Sequence, residues 1–180
     1  HKDGDQHLGD LLPAIGPPYY PRSFQHRPFD MTLDEKDGRA VVEMQIEAEE
    51  DSGCFLHQKL TLAANGQMGL QLWMENRGRQ ALTRHLRYDL DVDSDVAQKF
   101  TAPLPSGLVH THADLFPRVD EDLPLDPSKL AEPWIAFQGN GLTAGLAWTE
   151  DWKRIERFQS LRLTGREIVV NPGECSRRSE

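Results

Sequence analysis

The sequence predicts an all-β protein, an antiparallel β-sandwich, from three observations. Apolar and polar residues alternate over several stretches, Gly- and Pro-rich turns recur at short spacing, and no stretch keeps a helical period for long. A chain of 180 residues is long enough to bury a real core in one domain. The expected organisation is an extended Pro/Gly-rich segment at 1–37 packed on a single β-sandwich domain at 38–180, with a long loop at about 101–133. The chain begins with His1 and carries no charged-then-apolar leader, so it reads as a mature form or a part of a longer protein.

In the N-terminal segment, "GPPYYPRSF" should be extended and outside any sheet ladder, because proline lacks the donor a ladder needs. Tyr19, Tyr20 and Phe24 mark it as packed across a surface rather than as a free tail. From residue 39 the period is two. In "RAVVEMQIEAE", Ala40, Val42, Met44, Ile46 and Ala48 are apolar, and Glu43, Gln45, Glu47 and Glu49 are polar. That pattern is a half-buried antiparallel strand. After the "EEDSG" turn, "CFLHQKLTL" points Leu56, Leu60 and Leu62 inward.

The next turn, "AANGQ", sets a register. A two-residue loop at Asn65–Gly66 would place Leu60 opposite Gln71 and mix apolar with polar on one face. A three-residue loop, Ala64–Asn65–Gly66, pairs Leu62 with Met68, Leu60 with Leu70 and Leu56 with Met74. A one-residue slip flips a whole strand, so burial selects the second register, with Gly66 left-handed and forming a bulge. The strand "QMGLQLWMEN" leads through "NRGRQ" into "LTRHLRYDLDVD". Arg84 breaks the apolar set Leu82, Leu86, Tyr88, Leu90 and Val92, which predicts a bulge or an edge there.

Residues 101–133 hold six prolines and read mostly as loop, with "GLVHTHADLF" a candidate strand within it and at most one helical turn at "DPSKLAEP". "WIAFQ" and "LTAGLAWT" are apolar on both faces, as central strands are. "RIERFQSLRL" and "REIVV" complete the set.

The net charge of −9, with scattered basic residues, argues against nucleic acid and anionic lipid as partners. No apolar run approaches the roughly 20 residues of a membrane helix. Cys54 and Cys175 fit no zinc or redox spacing and are expected as free buried thiols. The compartment is left open.

No cofactor is expected. If a divalent metal binds at all, "LVHTHADLF" is the place: His110, His112 and Asp114 alternate, and alternate residues of a strand share a face. Leu115 stands where the binuclear zinc hydrolase motif continues with histidine, and no histidine follows His112. The plainer reading is a strand with Val109, Ala113 and Leu115 inward. "DLDVDSD" lines up Asp89, Asp91, Asp93 and Asp95, but a calcium loop starting at Asp89 would need Gly at Ser94 and Glu at Phe100. A solvated sheet face is the default reading for that run. His1, Asp3, Asp5 and His7 also carry ligand atoms, on a tail whose ordering costs about 1–2 kcal/mol per residue.

The three-residue register gives the most informative constellation. It sets Trp73 on the polar face directly opposite His57. A further three-residue connection at Arg77–Arg79 would set Thr83 opposite Trp73 and His85 opposite Gln71, with Arg87 and Asp89 continuing the row. An exposed indole flanked by such groups suits a sugar, whose ring stacks while its hydroxyls bond. The alternative is a Trp73 covered by the Pro/Tyr-rich segment. No nucleophile elbow and no phosphate-binding glycine loop occurs.

The run from "LPAIGPPYYP" through "LTLAANGQMGLQLWMENRG" to "EIVVNPGE" resembles the galactose-mutarotase-like β-sandwich group over about residues 11–175. That group includes sugar epimerases and the sandwich domains attached to carbohydrate-active enzymes. The resemblance implies a sugar-directed β-sandwich and, were the chain an enzyme, His85 as acid and Glu174 as base. His85 lacks the usual His-Pro context, and Glu174 sits in a Pro-Gly-Glu turn. The expectation is therefore a non-catalytic accessory or binding domain. Carbohydrate is its leading ligand class, through Trp73, His57, His85, Arg87 and Asp89, and neighbouring domains of a parent chain are its other partners. A mutarotase-type enzyme and a purely structural interaction domain are the alternatives.

Overall fold

The computed structural model describes residues 9–17, 19, 27–49, 52–92, 99–105, 107–112, 130–139, 142–148, 152–155 and 160–176. Its elements are β1 (Gly9–Gly16), β2 (Asp30–Lys36), β3 (Arg39–Glu49), β4 (Cys54–Ala63), β5 (Met68–Asn76), β6 (Leu82–Val92), β7 (Lys99–Leu104), β8 (Gly107–His112), β9 (Trp134–Gly139), β10 (Leu142–Ala147), β11 (Trp152–Ile155) and β12 (Ser160–Val170). The protein is all-β. No helix among the described residues is long and apolar enough to cross a membrane. The strands form three four-stranded sheets, ordered β1-β6-β12-β11, β10-β9-β7-β8 and β2-β3-β4-β5. Two compact units divide the chain, His1–Leu12 with Tyr88–Thr164, and Pro13–Arg87 with Gly165–Glu180.

In the second unit, β2 to β5 run as an antiparallel meander. Segment 1–37 supplies its first strand. Asp37 and Gly38 both take positive φ, at 53° and 71°, between the paired residues Lys36 and Arg39. This is the two-residue Asp-Gly hairpin whose twist matches its strands. At the β4–β5 turn the three-residue register holds: Leu62 faces Met68, Leu60 faces Leu70 and Leu56 faces Met74. Gly66 has a φ of 82°, and its N–H donates to Ala63 O at 2.9 Å.

The even face of the meander is buried at one end only. Ile46, Leu56, Leu72 and Met74 are buried, whereas Leu62 and Met68 are 51% and 57% exposed. The inward placement expected of Leu62 is thus corrected, and Leu60 is half-buried. The buried end is closed by backbone. Asn76, fully buried, donates through Nδ2 to Gln80 O and Val170 O, both at 2.8 Å, and accepts from Gly78 N at 2.9 Å. A Cβ on Gly78 would lie 2.4 Å from Ser52 O, so only glycine lets these two turns meet. The segment after β12 lies along β5: Asn76 N donates to Glu174 O, Gly173 N to Asn76 O and Ser176 N to Met74 O. Cys54 and Cys175 are both free, but Cys175 is exposed rather than buried.

The chain leaves the meander after β5. β6 sits between β1 and β12 in another sheet, so Arg84 occupies neither an edge nor a position beside β5. The stretches expected as separate strands around residues 160–170 form one strand, β12.

In the first unit, residues expected as loop from 101 begin with a hairpin, in which β7 pairs with β8 from Lys99↔His112 to Leu104↔Gly107. The strand expected at "GLVHTH" is present. Pro103 is tolerated in β7 because the pairing with β9 covers only Lys99, Phe100 and Thr101, so no second ladder bond is needed at 103. β9 is an inner strand and β10 an edge, so the central position expected for "LTAGLAWT" is corrected. Residues 113–129, with the first half of the expected "DPSKLAEP" turn, lie outside the described set, and Leu130–Pro133 are not helical.

Candidate functional site

The polar face of the meander holds the most organised group of side chains. Strand alternation puts Gln45, His57 and Trp73 in one cross-strand row, because β3, β4 and β5 pair Gln45 with His57 and His57 with Trp73. Residues directly opposite have Cβ atoms about 4.5–5.5 Å apart, so flat rings can lie against each other. The His57 and Trp73 rings do so, with centroids 5.1 Å apart and planes 7° from parallel. Trp73 is only 8% exposed. The exposed indole expected for a sugar face is thus corrected: Trp73 is buried, and His57 lies along its ring.

Glu75, two residues on and therefore on the same face, joins the group. Its Oε2 lies 2.8 Å from His57 Nε2 and accepts from Arg77 Nη2 at 2.7 Å. The same Arg77 nitrogen donates to Gln45 Oε1 at 3.1 Å, and the guanidinium lies 3.9 Å over the Phe55 ring. The bond from Arg77 is the main cause holding the Glu75 carboxyl below the ordinary carboxylate range; burial opposes it, and the bond from His57 adds to it. Arg77 in turn is raised, chiefly by its bond to Glu75. One row along, Lys59 Nζ meets Glu43 Oε1 at 3.1 Å. Glu75 and Arg77 were not singled out from the sequence. For Glu75 the signal was parity, since position 75 shares the face of 73 and 57; Arg77 lies past the end of β5, beyond the reach of alternation.

The predicted extension of this row into β6 does not form, because β5 and β6 belong to different sheets. His85 instead donates from Nδ1 to Gly165 O at 3.1 Å, with Glu167 Oε2 3.9 Å from its Nε2. Arg87 is 3% exposed and places its guanidinium 3.8 Å over the Tyr19 ring. Tyr19 also lies against Gly16, where a Cβ would come within 2.7 Å of the ring. Of the Pro/Tyr-rich stretch, Tyr19 is thus the residue that meets Arg87, and residues 18 and 20–26 lie outside the described set. Asp89 lies in β6, and its side chain is outside the described set.

Glu174 braces its own turn, accepting from Asn171 Nδ2 at 2.9 Å. The residue nominated as a base is exposed in this turn. His110 and His112 lie in β8, but their side chains, and Asp114 altogether, fall outside the described residues, as do His1, Asp3, Asp5, His7, Asp93 and Asp95. No protein-family model matches this sequence, and a search of curated proteins returns no match.

Proposed function

We propose that the chain is a non-catalytic binding domain of a larger protein, with carbohydrate as its ligand class and the polar face of the meander as its site. The observation that carries this reading is the mutual fixing of Gln45, His57, Glu75 and Arg77 around the covered Trp73. Planar amide, carboxylate and guanidinium groups held in place beforehand lose little freedom when hydroxyls bond them. Trp73 then serves to hold His57, and the half-exposed Arg77–Glu75 pair meets the ligand. This reassigns the sugar contacts from an open indole and the β6 residues to the β3–β5 row.

The test is a tryptophan-fluorescence titration of the full chain with a panel of mono- and oligosaccharides, beside Glu75→Gln and Trp73→Phe. A saturable change abolished in Glu75→Gln, with the sugar recovered unaltered, is the expected result. A flat response across the panel rejects carbohydrate as the ligand. The second reading, a domain that packs on a neighbour in the parent chain, is favoured by the exposed Leu62 and Met68 of the even face. Under that reading the panel is silent, and adding the flanking sequence protects both residues from solvent.

A further inference from the structure

We infer that the β2 edge pairs with the β2 edge of a second copy, antiparallel about a two-fold axis through Leu33, and joins two meanders into one continuous sheet. This does not rest on the carbohydrate reading. Among the described residues β2 is hydrogen-bonded to β3 alone, over all seven of its positions, and every one of those positions is exposed. The other edge of the same sheet is occupied where the 173–176 segment bonds along β5. An open edge leaves alternate N–H and C=O groups of β2 facing solvent, a template for another strand.

The side chains of β2 choose the occupant and its register. Met31 and Leu33 are 65% and 63% exposed and lie on the apolar face, while Asp30, Thr32, Asp34 and Lys36 lie on the polar face. Two antiparallel copies keep their Met31 and Leu33 faces on the same side of the joined sheet only if each residue faces one of its own parity. Of those registers, centring on Thr32 sets Asp30 against Asp34 of the second copy, and centring on Asp34 sets that carboxylate against itself. Centring on Leu33 overlaps the whole strand. It sets Leu33 against Leu33, Thr32 against Asp34, Met31 against Glu35, and Asp30 against Lys36 twice, once on each side of the axis. Opposite charges face each other at both ends, and no two acids do. This complementarity within one short strand singles out a second copy of this chain.

The full chain, with the exposed Cys175 changed to Ser, serves for the test. Sedimentation velocity over a concentration series should show a reversible monomer–dimer equilibrium. Asp30→Lys and Lys36→Asp should each weaken it by about tenfold, and the double exchange should restore it, since cross-strand ion pairs are worth roughly 0.2–1 kcal/mol each and two are reversed at once. Under mild oxidation Leu33→Cys should crosslink the dimer across the axis. Met31→Cys, equally exposed on the same face, should not, because its two copies would stand about 14 Å apart, four residues along the strand, beyond disulfide reach. A chain that stays monomeric throughout overturns the inference. So does a dimer indifferent to the charge exchange, or one that crosslinks equally at positions 31 and 33.

Discussion

Leu56 and Leu62 lie six residues apart on one strand and point to the same face, yet one is fully buried and the other is 51% exposed. At the Leu56 end, Asn76 bonds to Val170 O, the Gly78 and Ser52 turns meet, and the 173–176 segment bonds along β5. Around Leu62 the same face runs on through Met68 into solvent. Alternation reports which side of a strand is apolar. It does not report how far along the strand the cover extends.

The sharpest way to break this comparison is a matched pair of truncations. Leu56→Ala should cost about 3 kcal/mol by urea denaturation, the range for a buried leucine. Leu62→Ala should stay within about 0.5 kcal/mol. Equal losses would mean that the far end is covered after all. Asn76→Ala comes next, with an expected loss of about 2–3 kcal/mol, because Gly78 N–H and the Gln80 and Val170 carbonyls lose their partner together. Gly78→Ala should cost roughly 1–2 kcal/mol, as its methyl must displace the Ser52 carbonyl; unchanged thermal unfolding would show that the two turns do not meet.

The smallest effect belongs to the polar face. Because Arg77 first and His57 second hold the Glu75 carboxyl below its ordinary value, its folded value lies under its unfolded one. The resulting stabilisation is present above the ordinary carboxylate range and is lost as pH falls through the lowered folded value. The stability difference between the wild type and Glu75→Gln should therefore be constant near neutrality, at under about 1 kcal/mol for so accessible a pair, and shrink through that acid window. A difference that grows on acidification would reverse the sign and remove Glu75 from the network.

Much of the meander was legible. Burial parity alone selected the three-residue turn, and with it the His57–Trp73 pair. β2 was legible in principle, since Asp37–Gly38 is a strong hairpin signal, but the Pro/Gly-rich composition of 1–37 marks the whole stretch as one extended segment. Glu75 shared the right parity, but Arg77, which holds it, lies past the end of β5, where alternation says nothing. The row through His85 and Arg87 failed for a different reason. It took consecutive strands for neighbours, while the chain leaves the sheet between Asn76 and Leu82.

The sequence by itself determined the all-β class, the strands β3 to β5 of the meander and the side of each that is apolar, because these follow from local alternation and turn chemistry. Only the tertiary structure decided which strands share a sheet, that Trp73 is buried, and that β2 and the Leu62 end are exposed. Those outcomes depend on contacts between residues far apart in the chain, and no local period encodes them.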